Sequence, residues 1–384
     1  MKYSSTQLDG LKKLFDRQRL IIESDYNRLN EKKWGAGVRP LGLFRVYLGS
    51  AYYSRVLGVD LRKYYFDPFL YLETNLRLSQ FKFEKFPDDT PLTKAIPWHP
   101  GVTMEPSLFG AKTIYHENKD PWESHGLHII NDYSDLASVQ TPDFYKSDAM
   151  KYMHSMYEQM QEIVAAVAPD FSVSFPNWWR SPFAVACSMR GMENLFCDFI
   201  DEPDFVHELM AFATNARIEW DKARFAFTGE KIGMKLGNDE VNCQVISPRQ
   251  FQEFIFPYEQ KMLEYYGTCE YYHSCGDLTP LFPYIKTLDP RMVNISPWTD
   301  LDIACETFSD TETVLEIWAN LVDDVMLATA EHTRSVVAEC AKKCNEAGVY
   351  GYIFCSGNIQ RFAQSESEDN EKILNWVNAC RSLQ

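Results

Sequence analysis

From residue 171 onward, short β-favouring runs alternate with helical segments. Strands that alternate with helices at this spacing form βαβ units, whose strands lie parallel in one sheet. Six such runs, with one or two more strands before residue 110, fit a closed eight-stranded barrel. The expected fold is therefore α/β, a (β/α)8 TIM barrel with an N-terminal helical extension. The six runs are 171–175, 232–236, 269–274, 292–296, 314–319 and 350–354.

No linker-like stretch divides the 384 residues into separate units. Apolar residues make up 45% of the chain, enough for one large core. We therefore expect a single domain over 1–384, with the helical extension at 1–90 and the barrel at 91–384. The extension is assigned from helical patterning near its start and again around 52–61.

Composition excludes several functional classes. A formal net charge of −16 argues against a nucleic-acid surface, which needs clustered Lys and Arg. The sequence has neither a run of eighteen apolar residues nor an N-terminal hydrophobic signal, so we expect a cytoplasmic protein with no membrane contact. Its ten cysteines should then be reduced thiols, better suited to metal binding or catalysis than to disulfides.

The stretch 269–278 carries the strongest chemical signal. It reads as a buried strand followed by a turn, so His273 and Cys275, two residues apart, point to the same face. An imidazole nitrogen and a thiol sulfur therefore converge on one point where a strand gives way to a helix. In a barrel, functional residues gather at these strand ends. A third ligand has to come from another strand end, and Cys355 is placed for it.

Mixed nitrogen and sulfur ligands suit zinc, and three protein ligands leave one tetrahedral position open, as in catalytic sites. A thiol that enters this position loses its proton to the metal's charge and becomes a nucleophile. The arrangement favours alkyl transfer to sulfur. Other strand ends supply candidate polar residues, namely Asp239, Glu240, Trp298, Asp300 and Asn320.

Each feature also has a plainer interpretation. Cysteine is often buried without a function, and a strand histidine can simply be hydrogen-bonded in the core. Asp239 and Glu240 could form a solvated turn, although carboxylates after a buried strand run favour a functional role. Cys340 and Cys344, one helical turn apart, are typical of small apolar packing.

Several segments together give the sequence a family likeness. Residues 269–278, the Gly-Asn-Asp-Glu turn at 237–240 with the helix start at 246–258, and the segments 181–186 and 189–191 resemble the uroporphyrinogen decarboxylase superfamily. Within it, the chain resembles the corrinoid-dependent branch of the methylcobamide:coenzyme M methyltransferase type. The resemblance covers most of 90–380. It implies a (β/α)8 barrel with zinc on a His-x-Cys pair and a later Cys, and His273 and Cys275 match the pair.

The chain departs from these patterns in two places. Cys355 precedes Ser356-Gly357, whereas that branch places its last cysteine just after a glycine, and Asn358 occupies the expected position. Asp239 or Glu240 is therefore an alternative oxygen ligand to Cys355. The segment 38–42 does not reproduce the arginine-rich motif of true uroporphyrinogen decarboxylases, which argues against tetrapyrrole decarboxylation.

The resemblance implies a zinc-dependent methyltransferase that moves a methyl group between a methylated corrinoid and a thiol. The corrinoid would be a co-substrate, free or delivered by a corrinoid-carrying protein, and the acceptor a small molecule. Asp239 and Glu240 would orient substrate or complete the metal shell. The residues expected to line the pocket are Trp298, Asp300 and Asn320.

Two alternatives remain at this stage. One is a metal-independent lyase that acts on a carboxylated substrate, with Asp239 as charge stabiliser and Arg180 and Arg190 as anion-binding residues. The other is a non-catalytic barrel that binds a corrinoid or another small molecule. Such a protein would surround any zinc with four ligands and leave no open position.

Overall fold

The computed structural model describes residues 3–124, 128–360, 362 and 365–384. Its strands are β1 (Leu41–Leu48), β2 (Ala95–Pro97), β3 (Thr113–Ile114), β4 (Trp122–Glu123), β5 (Ser172–Ser174), β6 (Met234–Gly237), β7 (Cys269–His273), β8 (Met292–Ile295), β9 (Val314–Trp318) and β10 (Gly351–Ile359). All six β-favouring runs of the sequence correspond to strands.

The helices surround this set of strands. They are α1 (Ser5–Ile22), α2 (Asp25–Lys33), α3 (Ser50–Leu57), α4 (Leu61–Tyr64), α5 (Pro68–Lys85), α6 (Met104–Leu108), α7 (Asp148–Val167), α8 (Pro182–Arg190), α9 (Met192–Asp201), α10 (Pro203–Thr228), α11 (Pro248–Gln250), α12 (Phe256–Tyr266), α13 (Phe282–Thr287), α14 (Leu301–Phe308), α15 (Ala330–Ala347) and α16 (Glu366–Arg381). Shorter 3₁₀ or π turns cover Tyr133–Ser138, Phe251–Ile255, Thr279–Leu281 and Leu321–Met326. In the part of the chain described, every helix is too short or too polar to cross a bilayer.

Eight parallel strands form a (β/α)8 barrel, as the sequence predicts. Six of them lie in one sheet in the order β1-β10-β9-β8-β7-β6, and β2 pairs with β5. The segment after β5 returns to β6, where the Ser181 amide donates to the Gly237 carbonyl at 3.0 Å and the Gly237 amide to the Trp179 carbonyl at 2.9 Å. The short antiparallel pair β3–β4 lies outside this set of parallel strands.

Side chains, instead of a neighbouring strand, bond backbone amides along the free edge of β1. The Phe44 amide donates to the Asp89 carboxylate at 2.9 Å and the Val46 amide to the Asp88 carboxylate at 2.7 Å. Both aspartates lie just before β2. They satisfy backbone donors that a neighbouring strand would otherwise satisfy.

Strand β1 corrects the expected boundary at residue 90. It lies within 1–90, the segment predicted to be only a helical extension, and it pairs with β10 over six residue pairs. Gly42 and the charged Arg45 interrupt its apolar run, which weakens the strand pattern. Arg45 is tolerated because its guanidinium lies 3.5 Å from the buried Glu316 carboxylate on β9.

Candidate metal centre

Three potential ligands meet at the carboxyl ends of β6 and β7. These strands run parallel with Gly237 opposite His273, and the Asn238 amide donates to the His273 carbonyl at 2.8 Å. Asp239 lies two residues after Gly237, and Cys275 lies two residues after His273, each just past the end of its strand. One ligand atom from each of Asp239, His273 and Cys275 lies within 4.8 Å of the other two.

The His273 ring is oriented by contacts on both of its nitrogens. Nε2 lies 3.1 Å from an Asp239 carboxylate oxygen and 3.5 Å from the Cys275 sulfur, so it faces the shared point. Nδ1 lies 3.3 Å from the Tyr271 hydroxyl, which donates to the carboxylate of Glu316. A ligand histidine held through its second nitrogen is typical of metal sites.

The carboxylate of Glu316 holds the Tyr271 hydroxyl in position. Its buried carboxylate also accepts from the Trp318 indole at 2.8 Å and lies near Arg45. A buried carboxylate needs such partners, because burial without them is costly. Tyr271 and Glu316 were not singled out in the sequence, although an acidic residue inside the apolar strand run 314–318 is a signal that could have identified the second.

The side chains of Asp239 and Cys275 have shifted pKa values. Burial tends to raise the pKa of Asp239, but the hydrogen bond and charge of His273 outweigh it and lower that pKa to about 2. Partial removal of the sulfur from water, with the Asp239 charge close by, raises the pKa of Cys275 well above its usual range. A bound cation would reverse this shift by stabilising the thiolate. The Asp239 carboxylate is therefore ionised near neutrality, whereas the Cys275 thiol would need a bound metal to ionise.

The expectation that Cys355 supplies the third ligand does not match this geometry. Cys355 is fully buried on β10, with β8 and β9 between its strand and that of His273. In the described residues, it does not belong to the three-ligand group. Asp239, named from the sequence as an alternative oxygen ligand, lies beside His273 and Cys275, because β6 is the immediate neighbour of β7.

Glu240 contacts Arg180 and, among the described residues, is not part of this group. The Arg180 guanidinium donates to Glu240 and lies 3.4 Å from the carboxylate of Glu123 on β4. Glu123 also accepts from the Ser188 hydroxyl at 2.9 Å. No sequence pattern indicated Glu123, since it lies in a loop-like region far from the strand ends considered.

The three residues expected to line the pocket have other structural positions. Asp300 caps α14 and Asn320 caps the turn Leu321–Met326, each through its side-chain oxygen. Asn320 also borders a cavity of about 420 Å³ between the β8–β10 strand ends and α15. The Trp298 side chain is 61% exposed. Apart from Asn320, none of the three lines a cavity found among the described residues.

Three comparisons relate the chain to known proteins. The profile described as Uroporphyrinogen decarboxylase (URO-D) matches residues 47–370. A methylated-thiol–coenzyme M methyltransferase of Methanosarcina mazei is 28% identical over 106 residues, and this match spans 28% of either protein. The chain thus aligns with little more than a quarter of that relative's length. A solved structure of a methyltransferase from Methanosarcina mazei has the same fold, with a TM-score of 0.61 at 14% identity, covering 91% of this chain and 95% of that one.

Proposed function

The chain belongs to the uroporphyrinogen decarboxylase family, and on that premise we propose that it is a zinc-dependent methyltransferase. It moves a methyl group from a methylated corrinoid to a small thiol acceptor. The corrinoid is free or carried by a partner protein. The named activity of the Methanosarcina mazei relative supports this proposal.

The observation that carries the proposal is the convergence of Asp239, His273 and Cys275. Nitrogen, sulfur and oxygen donors are all accepted by zinc, and three protein ligands leave one position for a substrate. The site also opens to solvent, since the Asp239 side chain is 54% exposed and Cys275 is exposed. Its donor set and access fit a catalytic zinc rather than a structural one.

Bound zinc would supply the positive charge that lets the acceptor thiol ionise at neutral pH. Asp239 and a Cys275 thiolate would balance the two charges of such an ion, so an acceptor sulfur beside it would keep its negative charge and its nucleophilicity. The thiol proton leaves to water. The sulfur then bonds to the methyl carbon, while the cobalt–carbon bond breaks and its electron pair stays on the corrinoid.

The chain's own residues prepare this reaction. Asp239, His273 and Cys275 hold the metal, and Tyr271 with Glu316 fixes the imidazole so that Nε2 faces it. Orientation of this kind lowers the entropic barrier for a reaction between two bound partners.

The lyase alternative needs free arginines for a carboxylated substrate, and the contacts do not favour it. Arg190 is buried, bonded to Asp198 at 2.7 Å and to the Asn131 carbonyl at 2.7 Å. The Arg180 guanidinium is already paired with the carboxylates of Glu123 and Glu240. The binding-only alternative predicts four protein ligands around any zinc, and in the described residues the group of Asp239, His273 and Cys275 has three.

We expect protein purified without chelators to contain about one zinc ion per chain and to demethylate methylcobalamin when a thiol is added. Metal analysis by mass spectrometry and the change in corrinoid absorbance measure the two quantities. Cys355→Ser should keep its zinc, whereas Asp239→Ala should lose most of it. Negligible zinc in the wild-type protein would end the proposal, and zinc loss in Cys355→Ser alone would restore Cys355 as the ligand.

Tyr271→Phe should weaken zinc binding about 10- to 100-fold, because the change removes only the hydroxyl that positions His273. Competition with a chromophoric chelator measures the affinity. Tyr352→Phe is the matched control, since Tyr352 is buried on β10 and its hydroxyl donates to Asn345 at 3.2 Å. Equal zinc affinity in Tyr271→Phe and wild type would contradict the positioning role.

A further inference from the structure

One buried carboxyl group joins the ends of two strands that carry the candidate metal group. Glu259 is buried on α12, the helix that packs against β6. Its oxygen Oε1 accepts from the Asn238 side-chain amide at 2.6 Å and from the Tyr272 hydroxyl at 3.2 Å. Asn238 directly precedes Asp239, and Tyr272 directly precedes His273. Glu259 is therefore bonded to the neighbours of two members of the metal group.

These two bonds bear on the distance between the metal-binding side chains. At the end of the β6–β7 pairing, the Asn238 backbone amide donates to the His273 carbonyl at 2.8 Å. The bonds to Glu259 add a second link between the same strand ends, made through side chains. Asp239 lies past the end of β6, with a carboxylate oxygen 3.1 Å from Nε2 of His273. A shift of about 1 Å at either strand end would separate donors that one metal ion must contact together.

Two oxygen atoms at this junction have no hydrogen-bond partner within the described residues. They are Oε2 of Glu259 and the side-chain oxygen Oδ1 of Asn238, and both are shielded from solvent. A proton on Oε2, donated to Oδ1, would satisfy both atoms and complete a two-bond pair between a carboxylic acid and an amide. As a carboxylate, Glu259 would instead bury a charge and leave two acceptors unpaired, which is costly. The contacts thus favour the uncharged acid.

The surroundings of Glu259 agree with this state. In the described part of the chain, its hydrogen bonds come from neutral groups. On β7, its charge would reach the Cys269 thiol and the Tyr272 hydroxyl, and burial raises the pKa of both, that of Cys269 to about 12, so both are uncharged near neutrality. Arg217 on α10 donates to a tyrosine hydroxyl and two backbone carbonyls, and Lys261 on α12 is exposed. Burial raises the pKa of Glu259 to about 7, although its two hydrogen bonds act to lower it.

We propose that Glu259 is a positioning residue of the metal centre and that it acts as an uncharged acid. Through Asn238 and Tyr272, it holds the ends of β6 and β7 at the separation that brings Asp239 and His273 to one metal ion. It contacts neither the metal nor the substrate. This inference rests on the proposed metal site and adds to it a residue on the helix behind the barrel wall.

Glu259→Met removes both hydrogen bonds and keeps most of the side-chain volume, so the variant should bind zinc about tenfold more weakly. This is the lower end of the effect of losing an outer partner of a metal ligand, because Glu259 acts through the neighbours of the ligands. Glu259→Gln should have the zinc affinity of wild type, since its amide can form the same bonds as the uncharged acid. Glu264→Met is the control, because Glu264 is exposed on the same helix. Competition with a chromophoric chelator measures the affinities.

The visible spectrum of the cobalt-substituted protein separates positioning from stability, because the absorption of bound Co²⁺ reports the ligand geometry of the folded protein. Glu259→Met should change this spectrum, whereas Glu259→Gln and Glu264→Met should not. If Glu259→Met does not fold, Tyr272→Phe replaces it, since this change removes one of the two bonds and keeps the ring. Wild-type affinity and spectrum in the variant that lacks these bonds would overturn the inference and leave the proposed function intact. Wild-type protein that binds neither ion would end both.

The charge state of Glu259 is tested on the metal-free protein, by urea denaturation of wild type and Glu259→Gln at a series of pH values. The pKa of Glu259 rises from its ordinary value of 4.5 to about 7 on folding. Its acid form therefore stabilises wild type at low pH, and this stabilisation is lost as the pH rises toward 7. Between about pH 5 and pH 8, the folding equilibrium constant of wild type relative to Glu259→Gln should fall more than about tenfold. A ratio that stays constant or rises would show an ionised carboxylate and overturn the inference.

Discussion

Protein carrying Cys275→Ser is expected to lose its zinc and more than about 100-fold of its methyl-transfer rate. Replacing only an outer partner of a metal ligand costs 10- to 100-fold, so removal of a ligand should cost more. A serine hydroxyl stays protonated near neutrality and is a poor ligand for zinc. Because Cys275 is exposed, the fold should survive the change. Zinc content per chain and initial rate with methylcobalamin measure the effect.

Cys197→Ser provides the matched control for this experiment. Cys197 is also exposed, lies on α9 and belongs to no ligand group among the described residues. Its variant should keep both zinc and rate. A Cys275→Ser protein with the zinc content and activity of wild type would contradict the metal centre, whereas an unfolded one would be recognised by circular dichroism and replaced by Cys275→Ala.

The proximity of His273 and Cys275 could be predicted because it depends on local geometry. His273 ends β7 and Cys275 lies two residues beyond it, so the chain itself keeps the two side chains close together. The β-favouring runs, also a local signal, identified six of the eight barrel strands. Neither signal needs knowledge of distant parts of the chain.

The third member of the candidate metal group could not be predicted in this way, because it depends on which strand lies beside β7. Sulfur chemistry favoured Cys355, but β10 is three strands away, and the register of Gly237 against His273 brings Asp239 to the site. The sequence named Asp239 only as an alternative. Strand order and register are set by the whole barrel, which no local pattern encodes.

The contacts that support the site could not be predicted from the sequence for a similar reason. Tyr271 and Glu316 are 45 residues apart, and Arg180 and Glu123 are 57 apart. Asp300 and Asn320 illustrate an ambiguity of the opposite kind. Their position after a strand indicated substrate contact, yet a polar residue there also serves as the N-cap of the following turn or helix. The strand-end rule does not separate these two roles.

The contacts of Arg217 tie the segment after β5 to the barrel wall. Arg217 is buried on α10 and donates to the carbonyl of Arg180 at 2.9 Å and to the carbonyl of Lys235 at 2.7 Å. It therefore joins the segment after β5 to β6, where these strands meet. Burial lowers its pKa to about 10, so it remains charged near neutrality.

Arg217→Met should lower the free energy of unfolding by about 3–5 kcal/mol, the cost of removing one member of a buried charged network. Two carbonyls would lose their donor, and methionine fills most of the volume without replacing these bonds. Urea denaturation followed by tryptophan fluorescence measures the change. Arg334→Met is the control, because Arg334 is exposed on α15 and the same substitution should change stability by less than about 0.5 kcal/mol. Equal unfolding midpoints for Arg217→Met and Arg334→Met would mean that this tie does not hold the barrel wall together.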